Sequence, residues 1–229
     1  MTRYHSPDEV KQPYIEKMGP ELGAVFNELW QEVTRLHIRW GEYVVLFGEK
    51  ETRIRLLNDA SPLFFRIVQD SLWEQIVLQI ARLTDPPEMG QKSNLSLKRL
   101  RGLIREETIA LKVEGTIDVA MERAIFVRDW RNRKLAHNDL ALSLNQSAEA
   151  LAPASRLAIK TSLKAIADVL NCIEVYYVGS TTVFDVGSDG KGAENLLYVI
   201  NEGLRAVETR RKKIREGKID EEDFRINQL

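Results

Sequence analysis

The sequence predicts an all-α protein, a single helical bundle of about six to seven helices, and three observations predict it. Apolar residues recur three or four positions apart along almost the whole chain. Two-residue alternation, the mark of a half-buried strand, is found only in "STTVFDV". No internal repeat, low-complexity tract or composition shift divides the body, and 229 residues with 44% hydrophobic content allow one sizeable core.

Taken in order, the opening "MTRYHSPDEVKQPYIEKMGP" is polar and broken by prolines, and residues 1–19 read as a polar N-terminal arm. The first long helix runs from about Glu21 to Phe47 on Leu22, Phe26, Leu29, Val33, Leu36, Trp40, Val44 and Phe47, with Gly48 as its stop. A short helix through "EKETRIRLLN" follows. "SPLFFRIVQDSLWEQIVLQIARLTDPP" offers serine as N-cap and proline at the first helical position. Its stripe is Phe64, Val68, Leu72, Ile76, Ile80 and Leu83, and "DPP" ends it. A shorter fourth helix spans about Leu95 to Glu106, and "TIDVAMERAIFVRDWRNRKLAH" is a fifth. Two more run from Ala154 to about Val178 and from Lys191 to about Glu216. Loops fall at "DPPEMGQKSN", "NDLALSLNQSAEALAP" and "TTVFDVGSDG", and residues 217–229 read as an acidic C-terminal tail.

Lys plus Arg is 33 against 34 for Asp plus Glu, so a nucleic-acid partner has to be met by a local patch. The one cysteine, Cys172, lies in an apolar stretch, where a thiol is inert packing, and the absence of an intrachain disulfide fits a reducing cytosol. The N-terminus has no apolar signal-peptide region, and no apolar run approaches the roughly 20 residues of a membrane span. The expected location is therefore cytoplasmic, without membrane contact. There is no H-E-x-x-H or C-x-x-C, and His5, His37 and His137 are too scattered for a metal site. "GSDGKG" lacks phosphate-loop spacing and reads as an interhelical turn. His37, between Arg35 and Arg39, reads as a residue at the border of the buried face.

The stretch "RDWRNRKLAHNDL", residues 128–140, supports two readings. Cations in the last turn of a helix complement the negative end of its dipole, and Asn138 can supply a left-handed cap. On spacing alone this capping reading is the stronger, because arginine is common in the chain. The second reading is chemical. Cleaving RNA without a metal needs a base for the 2′-hydroxyl proton, a cation for charge growing on the phosphate, and a positioning group. His137 suits the first role, because its pKa is near neutral and the surrounding cations keep it uncharged. Arg131 suits the second, with a planar fork that never titrates. Asn132 donates and accepts at once and suits the third. Arg128, Arg133, Lys134 and Asn138 flank them as candidate RNA-binding residues. On a straight helix Arg131 and His137 lie about 120° apart around the axis and about 9 Å along it. Either the helix breaks around "LAHND", or the two groups meet across a symmetry axis.

"RNRKLAH" resembles the R-x(4–6)-H signature of the HEPN superfamily (higher eukaryotes and prokaryotes nucleotide-binding), with Asn132 as the polar residue after the arginine. "VRDWRNRKLAHND", "LWQEVTRLHIRW" and "LFFRIVQDSLWEQIVLQIARLTDP" resemble its AbiU-like branch, associated with bacterial abortive infection against phage. The likeness runs from about residue 20 to 210, so residues 20–216 read as a HEPN-like helical domain. The resemblance implies a compact helical bundle, dimerised so that two motifs face each other. It also implies metal-independent endoribonuclease activity, with Arg131 and His137 as the catalytic pair and Asn132 as helper.

The expectation is a metal-independent endoribonuclease of a toxin or anti-phage system, leaving a 2′,3′-cyclic phosphate. It needs no cofactor, acts as a homodimer on RNA, and has an antitoxin or modifying enzyme as a further partner. The alternative is a non-catalytic RNA- or nucleotide-binding helical module using the same residues. The basic run Arg205, Arg210, Arg211, Lys212, Lys213, Arg215 and Lys218 reads as a solvated helix end, with an RNA-backbone stripe as its alternative. Lys98, Arg99, Arg101 and Arg105 read as mostly solvated.

Overall fold

A computed structural model describes residues 7–135, 144, 151–152, 154–185 and 191–218. Nine α-helices among the described residues, with almost no strand, make the chain all-α. They are α1 (Pro7–Met18), α2 (Pro20–Phe47), α3 (Glu51–Ala60), α4 (Pro62–Leu83), α5 (Lys98–Leu103), α6 (Glu107–Arg123), α7 (Ile125–Trp130), α8 (Arg156–Tyr177) and α9 (Ala193–Arg215). A π turn, Arg131–Leu135, follows α7 directly, and β1 (Glu88–Met89) pairs antiparallel with β2 (Lys92–Ser93).

The helices outnumber the six or seven expected. Residues 7–18 are helical with Pro13 inside, and the predicted fifth helix breaks at Ala124 (φ −98°, ψ 6°) into α6 and α7. α6 also starts earlier than expected. The Glu106 carboxylate accepts from the backbone N–H groups of Thr108 and Ile109, an N-cap that ends the preceding segment. "STTVFDV" forms no strand among its described residues, 180–185.

By compactness the chain falls into two units, Met1–Trp40 with Leu72–Val186, and Gly41–Ser71 with Gly187–Leu229. In the first, α6 lies along α8, burying Ile109, Val113 and Ile117 on one helix and Ile159, Leu163, Ile166 and Leu170 on the other. Each such side chain stabilises by about 1.5–3 kcal/mol through burial. The Ser162 hydroxyl donates to the Arg123 carbonyl at 2.6 Å, satisfying the end of α6. α2 buries Leu22, Phe26, Leu29, Val33 and Leu36, as expected.

Residues 180–185 are held against α2 and α8 by a paired polar network. The Trp30 indole N–H donates to the Thr182 hydroxyl at 3.0 Å, which donates to buried Glu174 at 2.8 Å. The Asn171 amide exchanges two hydrogen bonds with the Thr182 backbone. Tyr14, packed on Phe26, has its pKa pushed up to about 12 by burial and then by the Glu174 charge.

The second unit is built on α3 and α9, with Leu57 and Leu197 buried. Glu42 caps α9 by accepting from the Ala193 N–H, and Arg53 donates to the Val45 carbonyl at 3.0 Å.

Two expected stripes are out of phase at one end. The last turns of α2 bury Tyr43 and Leu46 instead of Val44 and Phe47, because the alternation of four- and three-residue steps continues beyond Trp40 with a three. The first half of α4 buries Phe65, while Phe64 is 57% exposed. Counting back from buried Ile76, eleven residues are only about 20° out of phase, whereas three successive steps of four accumulate about 120°.

At the α1–α2 corner, Gly19 has φ +86°, and a Cβ on Gly23 would sit 2.5 Å from the Tyr14 carbonyl and 2.6 Å from Ile15 Cα. α1 can lie this close only because Gly23 has no side chain. Gly23→Ala is therefore expected to cost about 1–3 kcal/mol and to expose the α1 backbone to protease. A melting temperature and digestion rate equal to wild type would contradict this packing.

Candidate active site

The site is organised by the end of α4. Thr84 is fully buried, and its hydroxyl donates back to the Ile80 carbonyl at 2.9 Å. The terminal carbonyls, unpaired within the helix, find partners outside it: Leu83 O accepts from Leu97 N at 2.9 Å, and Thr84 O accepts from Arg128 at 2.9 Å. Asp85 follows, ahead of Pro86 and Pro87. The carbonyls of both prolines are also bonded, Pro86 to the Asn94 amide and Pro87 to the Arg99 guanidinium, each at 2.9 Å. Asp85 is thus a carboxylate on a backbone whose carbonyls are hydrogen-bonded on both sides of it.

Arg131, the first residue of the π turn, pairs with Asp85. The pair is largely shielded, with side-chain exposures of 25% for Arg131 and 15% for Asp85. The Arg131 Nε–H donates to Asn132 Oδ1 at 3.1 Å, a second fixed acceptor for the guanidinium. Nη2 has no acceptor among the described residues.

The rest of α7 and the π turn is tied down by its own polar groups. The Asp129 carboxylate accepts from Ala152 N at 2.8 Å, while the Trp130 indole donates to Ala152 O at 2.8 Å. Arg133 pairs with Asp129 at 3.4 Å, and Lys134 lies over the Trp130 ring at 5.0 Å from its centroid. Of the flanking cations, Arg128 is a bridge to α4, Arg133 is engaged within its own turn, and Lys134 is exposed. His137 and Asn138 lie outside the described residues. The α-helix ends at Trp130, earlier than the expected break around "LAHND", so the straight-helix phase between Arg131 and His137 does not apply.

Asp85 also lines a cleft of about 560 Å³, walled by α2, α4 and the segment after β2. Arg35, Arg39, Arg82 and Glu32 share its wall with Gln79, which is only 6% exposed. Gln79 donates to the Glu32 carbonyl oxygen at 2.9 Å and to the Glu32 carboxylate at 2.8 Å, and accepts from Arg39. An oriented guanidinium therefore stands at the cleft as well as beside it.

The chain matches the family model for AbiU2, a HEPN domain, over residues 19–195. It belongs to the HEPN AbiU2 family. No curated protein and no solved structure matches it. The matched span contains the whole clasp between α4 and α7 and the cleft beside it.

Asp85, Gln79 and Arg39 are absent from the site that the HEPN motif alone predicts. Asp85 is read in the sequence only as part of a helix stop, although an acid fixed by two following prolines is a signal of rigidity. The other two join residues 40 positions apart and leave no local trace. Elsewhere in this HEPN AbiU2 chain, Arg99 staples Asn94 and Pro87, and Arg101 pairs with Glu107 and Glu114, so neither is simply solvated as expected. The basic run of α9 is exposed and partly matched by Glu202, Glu208 and Glu216. Burial raises the pKa of Cys172 against the influence of Lys112, in keeping with an inert thiol. No group of three or more His, Cys, Asp or Glu side chains among the described residues is arranged to hold a metal ion, and no described helix is long and apolar enough to cross a membrane.

His37 lies 5.5 Å from the Phe184 ring, its Nε2 buried without a partner among the described residues. Burial lowers its pKa, opposed by the Leu163 backbone and Asp185. The unfolded chain takes up this proton at about pH 6.5 while the folded chain resists it, so stability falls as pH drops below about 6.5. His37→Phe is expected to flatten the melting temperature between about pH 7 and about pH 5.5 relative to wild type. Parallel pH profiles for the two proteins would refute a buried neutral imidazole.

Proposed function

We propose that this HEPN AbiU2 protein is a metal-independent endoribonuclease that acts as a homodimer in abortive infection or a related toxin setting. His137 takes the proton of a ribose 2′-hydroxyl, and the freed oxygen attacks the adjacent phosphorus. The bond from phosphorus to the 5′-oxygen breaks, and that oxygen takes a proton back from the imidazolium. A 2′,3′-cyclic phosphate and a 5′-hydroxyl end result. Arg131 offsets the charge that grows on the phosphoryl oxygens, and Asn132 fixes the guanidinium.

The observation that carries this reading is the orientation of Arg131, held by Asp85 and Asn132 beside a cleft, with Nη2 left for a ligand among the described residues. A preorganised cation of this kind stabilises developing charge without reorganising at the moment of reaction. Membership of the HEPN AbiU2 family supports the assignment of His137 as base.

The test is digestion of mixed cellular RNA in EDTA, with end-group analysis of the products. Wild type is expected to leave 2′,3′-cyclic phosphate ends. His137→Ala should lower the rate by about 10²–10⁴ and Arg131→Ala by about 10²–10³. Equal cleavage by all three proteins, or none by wild type across substrates and salts, removes the enzyme assignment. Binding without turnover, lost in Arg131→Glu, would move the protein to the non-catalytic module.

A further inference from the structure

We infer that the cleft beside Asp85 is a subsite for a nucleoside phosphate, the unit of an RNA strand flanking the linkage placed before Arg131. The inference rests on the ribonuclease reading for its neighbour but has its own residues. It starts from charge. Glu32 is paired with Arg35 at 2.6 Å and Asp85 with Arg131, so both carboxylates of the cleft are matched. Arg39 and Arg82, on the same wall, have no carboxylate partner among the described residues.

Arg39 is not loosely held. It gives one N–H to Gln79, whose amide is fixed by two donations to Glu32, and its other N–H groups remain for a bidentate contact. Gln79 is a buried polar residue whose described partners all serve to aim a cation on the cleft wall. Arg82 is exposed and its guanidinium has no partner among the described residues, so it is the cation a phosphate can recruit without breaking an existing pair.

Size and lining agree with the charge. About 560 Å³ falls within the range of roughly 300–1,000 Å³ typical of small-ligand sites. Asn94, held in place by the Pro86 carbonyl and by Arg99, adds a rigid amide to the lining. Asp85 belongs to both features: it holds Arg131 and forms part of the cleft wall. A strand with one phosphate before Arg131 therefore has a neighbouring unit at the cleft.

The probe is a fluorescent oligouridylate with 2′-O-methyl groups, which cannot be cut by 2′-hydroxyl attack. Its anisotropy is titrated at several KCl concentrations with wild type, Arg82→Gln and Arg39→Gln. Loss of one charged contact is expected to weaken binding about tenfold. It should also make the slope of log affinity against log salt shallower by ~0.7. Arg82 is exposed, so that variant keeps its fold, and matched melting curves check this.

Wild-type affinity and slope in both variants, in a protein whose RNA cleavage depends on Arg131, overturn the subsite and leave the ribonuclease reading standing. Arg82-dependent binding by a protein that cuts no RNA keeps the subsite and removes the reaction. Displacement of the probe by uridine monophosphate at the oligomer's own affinity would assign the cleft to a free nucleotide and overturn the strand assignment. No binding of the oligomer to wild type removes the subsite altogether.

Discussion

A helix ends in carbonyl groups that nothing within it can satisfy, and the geometry around Arg131 depends on how α4 solves that problem. The Thr84 carbonyl is buried and accepts from Arg128 on α7. A hydrogen bond from a charged donor to such a group contributes about 1.5–3 kcal/mol, and leaving the carbonyl unpaired costs about as much. One residue further, Asp85 receives Arg131, one turn beyond Arg128. Two arginines three residues apart thus clasp two consecutive residues of the α4 terminus. The first fixes the distance between the elements, and the second inherits its position from the first. Without the Arg128 contact, Asp85 would still be stiffened by its prolines, but the buried Thr84 carbonyl would lose its partner and α7 its hydrogen bond to the α4 terminus.

The clasp also accounts for how α7 can be so short. Six α-helical residues followed by a π turn are poorly stable by themselves, since helix formation rewards length. Tertiary bonds take over that role: Asp129 and Trp130 hold Ala152, and Trp73 meets Trp130 edge-on with centroids 6.2 Å apart. Irregular backbone is thereby kept in one place, next to the residues whose placement matters. π turns are often found at functional sites, where a widened turn aims side chains that a regular helix would spread around its axis.

The fold was legible wherever one helix face is buried throughout. Leu22 to Leu36 and Ile159 to Ile173 repeat cleanly because the same side faces the core for several turns. The misplaced Phe64 shows the limit: counting by fours alone rotates the inferred face, and two adjacent phenylalanines cannot be told apart by composition. The break at Ala124 is silent because "ERAIFV" is compatible with a continuous helix, and what bends it is contact with α8, where Ser162 takes the Arg123 carbonyl. At the site, Arg131 and Asn132 were legible because they are adjacent in sequence and carry a recognisable pattern. Asp85 and Gln79 were not, because their partners lie 46 and 40 residues away and the pairing exists only after folding.

A carboxylate against the proposed catalytic arginine competes with the phosphate for the cation, yet physical considerations favour its presence. A free arginine side chain loses about 0.5–1.5 kcal/mol of rotamer freedom when a ligand immobilises it. Asp85 and Asn132 impose that loss at folding, so it no longer opposes binding. The shielded ion pair contributes little to stability, because desolvation offsets most of the attraction. Its effect is orientation: two N–H groups point at fixed acceptors, and the planar guanidinium then directs Nη2 along a fixed line. Glu32, acting through Gln79, does the same for Arg39. The same device at two neighbouring points is what a strand of regularly spaced phosphates requires, since one oriented cation sets a position and two set a direction.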